Sequence, residues 1–293
     1  MDSDHEAYIL LLLSDSNLPT GSFVASAGLE SYVTHGFFSN LSSSSTTSPD
    51  KMDYTVNFLR DSLSTYGHSA LPFVLDTHRA IEGALQDTNA SADDAMDCAM
   101  ARVQELDELY ETMTLNHIAR RASKTQGVAL LTLFSRGFAK PRLSQHLETS
   151  VDSGADGRAA SFVDRLKLLV RREGTHGHLP ICWGVLTAAL GLSVERSQYL
   201  HLFLQARSLL SSSVRLNTIG PYAAQQLLLH AVRPLVDAEM SRSKHLDTGL
   251  SKSSEVGKED ADEEVIRGPA MTWPLGEILA ARHDLQHSRI FNS

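Results

Sequence analysis

The chain has 293 residues, 42% hydrophobic and 21% charged, so its composition is that of an ordinary globular protein long enough for one large domain or two small ones. Its net charge is −9, and the run 255–264, EVGKEDADEE, supplies −5 of it with six acids and one lysine, leaving −4 elsewhere; a mildly acidic body speaks against nucleic acid as a partner. Cys98 and Cys182 lack CxxC spacing, which fits structural thiols in a reducing compartment, no apolar run reaches the length of a membrane span, and the acids Asp2, Asp4 and Glu6 before YILLLL are the wrong charge for a signal peptide; the sequence predicts a cytoplasmic protein.

Residues 5–16 read as a short buried helix, ended by Ser16-Asn17 with Pro19 and Gly21. Ser22 is placed to cap a second helix over about 23–36, with Gly36 as its stop. Within that helix Gly28 is costly, by roughly 1 kcal/mol relative to alanine, which suggests either close approach by another backbone or a kink. Residues 39–50, SNLSSSSTTSPD, form a low-complexity polar loop. Helices are expected over about 51–66 and 69–83, with 84–92 a loop. In 93–116, Met96, Met100, Val103, Leu106, Leu109 and Met113 recur at spacings of three and four and make one apolar stripe. Asn116-His117 marks a bend before 118–137. Residues 148–158 read as a loop and 160–172 as a helix. After the tight connection 174–178, Pro180 opens a nearly all-apolar core helix to about 190, and Ser193 caps the next, to about 217. Gly220-Pro221 breaks the chain before helix 222–240. Residues 241–269 lose periodicity and read as a flexible acidic linker. Apolar spacing returns in 271–291 at Leu275, Ile278, Leu279 and Leu285, the pattern of an amphipathic tail helix that docks on something. No segment reads as a strand, so the fold class is all-α: a single globular domain of about ten helices with a linker and a C-terminal tail helix.

Phosphate-binding loops, dinucleotide fingerprints, HExxH and GxSxG are all absent, which lowers the case for an enzyme. Among the thirteen histidines, His176 and His178 with Cys182 are the grouping that could share nickel, copper or zinc. Without a second cysteine or an acid at ligand spacing, His178 reads better as a packing or capping residue at a helix entry, and Cys182 as a small buried one. Arg120-Arg121, Lys124 and Arg136, and Arg171-Arg172, are either anion-binding groups or solvated helix edges, and for Arg120 the two readings weigh about equally. Glu30 reads as an exposed helical charge unless a partner shifts its pKa, and the sequence offers none.

Five segments in colinear order resemble the urease accessory protein UreF family. They are Leu18-Pro19-Thr20-Gly21-Ser22-Phe23 with Ser26-Ala27-Gly28-Leu29-Glu30; Arg120, Ser123, Gln126 and Gly127; His178-Leu179-Pro180 followed by Gly184; Ser213-Val214-Arg215-Leu216 with Ile219-Gly220 and Gln225; and Ala281-Arg282-His283-Asp284 with Ser288-Arg289-Ile290-Phe291. The chain departs from the pattern at Ser22, where a second glycine is usual, and at Gln126, where methionine is common; Arg120 and Arg121 both fit the arginine position, and the serine-rich insert and acidic linker look like eukaryotic, fungal-type elaborations.

The resemblance implies a non-enzymatic helical scaffold: a UreF-like domain over 1–240, the linker 241–269 and a partner-docking segment 270–293. It implies a homodimer that binds a UreD/UreH-like accessory protein and recruits a UreG-like GTPase, coupling GTP hydrolysis to nickel insertion into apo-urease. Nickel would be handled by the complex, with no cofactor of this chain's own. The implied partner-binding residues are Phe23, Glu30, Arg120, Arg215, Arg282, His283, Arg289 and Phe291, with Glu30 on an assembly surface facing the GTPase, so that Glu30→Ala would leave folding nearly intact. An arginine could act directly on GTP, or the scaffold could position the GTPase's own groups, and the second is favoured. The alternatives are a generic helical adaptor and a metal-binding helical protein built on His176, His178 and Cys182.

Overall fold

The structure, a computed structural model, describes residues 3–38, 51–87, 92–139, 154–250 and 268–293. The serine-rich loop 39–50 and the acidic run 255–264 lie outside the described residues. Within them the fold is all-α, without a strand. The chain order is α1 (Ser3–Leu13), a 3-10 turn (Ser22–Val24), α2 (Leu29–Thr34), α3 (Lys51–Gln86), α4 (Ala92–Met113), α5 (His117–Leu133), α6 (Gly154–Arg171), α7 (Leu179–Ala189), α8 (Val194–Arg215), α9 (Pro221–Leu227), α10 (Arg233–Ser243) and α11 (Pro274–Ala281). Wide π turns follow α5 at Phe134–Phe138 and join α9 to α10 at Leu228–Val232, and a 3-10 turn at His283–Leu285 follows α11.

These residues group into two compact units. The first takes residues 1–20, 73–113 and 123–197, and the second 21–72, 114–122 and 198–293, so that α3, α5 and α8 each contribute to both. In the first unit the core is Phe73, Val74 and Ile81 of α3, Val103, Leu106 and Tyr110 of α4, Phe162, Val163 and Leu166 of α6, and the buried face of α7. The all-apolar reading of α7 holds: every residue from Pro180 to Ala188 is buried. Close packing explains two glycines here. A Cβ on Gly184 would meet Thr77 at 2.9 Å, and one on Gly127 would collide with the carbonyl oxygen of Gly177. In the second unit Leu29, Phe58, Leu59, Leu63, Leu202, Ala206, Leu209, Leu227 and Val236 form one apolar cluster.

Several boundaries differ from expectation, each for a physical reason. The expected pair 51–66 and 69–83 is one helix, with Pro72 inside it. Proline lacks the N–H that would serve the His68 carbonyl; that oxygen faces the N–H of Ala270 at 3.4 Å instead. The expected helix 23–36 is a short 3-10 turn, a break and then α2, because Ala27 and Gly28 both have positive φ, 49° and 84°. Gly28 is therefore not in a helix interior. It precedes α2 in a left-handed conformation that glycine adopts freely. Close backbone approach is also present: a Cβ there would lie 3.4 Å from the Ala280 nitrogen. Ser193 does not cap α8 as expected; its hydroxyl and N–H both donate to Glu6 Oε1, at 2.8 and 2.9 Å. Helix α6 starts at Gly154, inside the expected loop, because Ala159, Phe162, Val163 and Leu166 bury its far face. The bend at Asn116 is as read, and its side-chain oxygen caps α5 by accepting from Ile118 N–H at 3.0 Å.

Two glycines give opposite expectations. Gly127→Ala should cost about 2–4 kcal/mol, since its Cβ meets a backbone carbonyl. Gly157→Ala, in α6 with nothing within 4 Å of the added carbon, should stabilise by about 0.5–1 kcal/mol. Urea denaturation of the two variants against the parent chain measures both.

Candidate functional site

In the second unit the N-terminal signature and the C-terminal tail are brought together. Glu30 is 3% exposed. A buried carboxylate needs donors, and the tail supplies them: Ile290 N–H donates to Oε1 at 2.6 Å and Phe291 N–H to Oε2 at 3.3 Å. His283 Nδ1 lies 3.7 Å from Oε2. The end of the 3-10 turn and the residues after it pair with the chain end, Ser26 N–H donating to Ser293 O at 2.5 Å and Asn292 N–H to Val24 O at 2.9 Å. Phe291 is buried beside Arg215, whose guanidinium carbon sits 4.1 Å from the Phe291 ring centre and 3.8 Å from that of Phe23. This cation between two aromatic faces locks the tail to the 3-10 turn. Trp273 packs edge-on against Phe58 at 5.2 Å, joining the tail to the apolar cluster.

The rim of the tail is ionic. Arg121 donates to both carboxylate oxygens of Asp284, at 3.1 and 3.0 Å, and to Asn292 O at 2.9 Å. Arg289 adds a bond to Asp284 Oδ1 at 2.8 Å, and His117 lies 3.4 Å from Oδ2. The Arg121 bonds, with Arg289 and His117 beside them, hold the Asp284 carboxyl at about 2, well below the usual carboxylate range. Arg282 donates through Nε to His35 Nε2 at 3.0 Å. Arg120 donates to Thr114 O at 2.5 Å and Leu115 O at 3.4 Å, tying the start of α5.

The placement corrects part of the sequence reading. Glu30, His283 and Phe291, expected as partner contacts, are buried against the chain's own segments. Glu30 is not an exposed assembly residue, and its replacement by alanine would leave two tail N–H groups without their acceptor. Arg215 is half-buried between rings, while Phe23, Arg282 and Arg289 are exposed. Sequence reasoning missed Arg121 as the tail clamp and Asp284 as its hub. The signal was present in the doubled arginine at 120–121 and in the Arg-His-Asp run at 282–284.

The first unit holds a second polar network around the 174–178 loop. Asp107 is buried and accepts from Thr175 Oγ1 at 2.5 Å and from the N–H groups of His176, Gly177 and His178 at 2.7, 2.7 and 3.0 Å. The left-handed Gly177 aims those N–H groups at one point. The His178 ring lies between Ser123 Oγ at 3.1 Å and Glu111 Oε2 at 2.7 Å. Burial raises the Glu111 carboxyl, but the Lys124 and His178 bonds outweigh it and hold it at about 2. An ionised carboxylate can only accept, so His178 Nε2 carries the proton and Nδ1 accepts from Ser123. Burial lowers the His178 pKa against the opposing pull of Asp107 and Glu111.

Ser123, His178 and Glu111 stand in the order of nucleophile, base and orienting acid. Here Ser123 is buried, and its hydroxyl oxygen accepts the Leu179 N–H at 2.9 Å, capping α7. Of the grouping His176, His178 and Cys182, both His178 nitrogens are engaged within the chain and the Cys182 thiol is fully buried, which pushes its pKa well up; among the described residues no three His, Cys, Asp or Glu side chains are grouped to hold an ion.

In this all-helical fold the buried carboxylates of Glu30 and Asp107 hold the chain's own tail and one of its loops. A family model described as UreF matches residues 53–232, and the chain belongs to that family. It is 43% identical to urease accessory protein 6 of Cryptococcus neoformans var. grubii, over 99% of this chain and 98% of that protein. It is 28% identical to the urease accessory protein UreF-like protein of Schizosaccharomyces pombe, over 100% and 99%, and 27% identical to urease accessory protein F of Oryza sativa subsp. indica, over 99% and 86%. None of the described helices is long and apolar enough to cross a membrane.

The Asp284 clamp predicts acid-sensitive tail docking. A carboxyl lowered to about 2, from an unfolded value of about 3.9, contributes stability above the unfolded value and loses it as pH falls through the folded one. Pepsin cleavage at Leu285 or Phe291 should therefore rise between about pH 4 and pH 2. In Asp284→Asn the tail should be cut readily already at the upper end of that window. Cleavage that is equal in both proteins throughout would exclude the clamp.

Proposed function

We propose that this chain is a urease accessory protein that works as a non-catalytic scaffold. The family membership and the names of its relatives support the accessory role. The observation that carries the scaffold reading is the seam itself. Family-signature residues from both ends of the chain are spent on holding one surface together, and that surface leaves Phe23, Leu285 and Ile290 66%, 73% and 61% exposed, with Arg282 and Arg289 exposed beside them. Exposed apolar side chains rimmed by cations suit a protein partner.

The finer reading follows the family. In the cytoplasm the chain, as a homodimer, binds a UreD/UreH-like protein through this tail surface, the complex recruits a UreG-like GTPase, and nickel passes as cargo to apo-urease. The scaffold positions the GTPase's own groups. Arg120, the first candidate for direct action on GTP, is committed to the carbonyls of Thr114 and Leu115, so a finger role would require those bonds to be given up.

Truncation at residue 269 is a poor test, because it removes Trp273 and Phe291 from the second unit. The exposed pair Leu285→Ser with Ile290→Ser is better. The double variant should keep its helical circular dichroism and lose about tenfold or more of its capture of the UreD/UreH-like partner. Undiminished capture would move the docking surface elsewhere. With the complex assembled, Arg120→Ala should leave GTP turnover by the UreG-like partner unchanged; a hundredfold-scale loss would instead identify an arginine acting on phosphate.

A further inference from the structure

We propose that the seat formed by residues 23–30, Arg121 and Arg215 is an exchangeable peptide-binding site, and that its second occupant is the C-terminal segment of another copy of this chain. The seat is a complete recognition site in itself. It offers the Val24 carbonyl and Ser26 N–H for main-chain pairing, the Glu30 carboxylate for two consecutive N–H groups, a guanidinium for the aromatic side chain and a second one for a carbonyl. Strand-like pairing plus one aromatic anchor is a recurrent mode of peptide capture. Each of these contacts is indifferent to which copy supplies the peptide, so exchange between copies changes none of them.

Two observations make the exchange accessible. From Gln286 to Ser293 the only buried apolar side chain is Phe291. Along the same seam, Ser26 Oγ, Arg215 Nε, both ring nitrogens of His283 and Gln286 Oε1 are buried with no hydrogen-bond partner among the described residues. A segment with one apolar anchor over an incompletely paired seam belongs to the parts of a fold that open first.

Within one molecule the tail competes at an effective concentration of order millimolar, so the test removes that competition. One full-length chain carries Phe291→Ala, with a defective tail and an intact seat. The other carries Arg215→Ala, with a defective seat and an intact tail. Neither can fill its own seat, but the second can fill the first. Affinity-tagged Phe291→Ala protein should capture Arg215→Ala protein at least about tenfold more than it captures the Arg215→Ala, Phe291→Ala double variant. Circular dichroism checks that all three chains are folded, and Glu30→Gln replaces Arg215→Ala if the latter is not. A synthetic peptide of residues 287–293 should compete. Equal capture with and without an intact tail, or no capture at about 100 μM, overturns the proposal. The proposed homodimer through another surface, and binding of urease-maturation partners, would survive that failure, since neither depends on a tail supplied in trans.

Discussion

A carboxylate cannot be taken out of water without donors to replace it, and the second unit is arranged around one that has been. Glu30 sits at the start of α2, where acids are favoured by the helix dipole, but its side chain turns inward and is 3% exposed. The donors it receives come from residues 260 and 261 positions further along the chain. That single requirement fixes the rest of the seam. The tail must return to α2, α11 must come within contact distance of Gly28, and Phe291 must enter beside Arg215. Arg215 in turn is desolvated, which lowers its pKa against the pull of Glu30, and it faces two rings instead of water.

The first unit uses the same device on a loop. Asp107 on α4 gathers three successive N–H groups and one hydroxyl of residues 175–178. With those donors satisfied the loop can be short and rigid, and it delivers His178 to Ser123 and Glu111 with one tautomer selected. Gly127 and Gly177 are the steric conditions for this: the first lets α5 lie against the loop, and the second gives the loop its left-handed turn. In both units an acid on a helix organises an irregular segment far away in sequence, which is a way to bury backbone that has no helical partner of its own.

This is also why the helices were legible in the sequence and the seams were not. The apolar stripe of α4, the proline at the first turn of α7 and the Asn116 break are local signals, and they read through to the structure. The tail's apolar spacing was so only in part: of Leu275, Ile278, Leu279 and Leu285, Leu279 alone is buried, and the helix is the shorter Pro274–Ala281. The tail's docking site was not legible, because nothing local distinguishes an acid that will be buried by a partner 260 residues away from one that stays in water. Glu30 carries the same side chain in either case. Gly28 was informative for the wrong stated reason: its cost in a helix pointed to close approach, but it is not in the helix, and its positive φ was invisible until α2 was seen to begin at Leu29. The proline at 72 misled in neither direction, since the split was placed earlier; the continuous α3 reflects burial of every residue from Ser69 to His78 outweighing a lost backbone bond.

The family signature changes meaning accordingly. Glu30, His283 and Phe291 belong to the resemblance, yet they face inward. Arg215 connects them to Phe23, which is outside. A motif that holds a surface together constrains partners only through the shape it enforces; the residues that touch a partner are then expected among its exposed neighbours, and these need not carry the motif. Leu285 and Ile290 are the case in point. Leu285 lies in the gap between the two halves of the tail motif and Ile290 within it, and both remain exposed while the residues on either side are tied down. Substituting a buried motif residue therefore confounds loss of the surface with loss of contact, whereas substituting Leu285 or Ile290 separates them. For a scaffold, whose function is the geometry it presents, that separation is the difference between measuring the frame and measuring the interface.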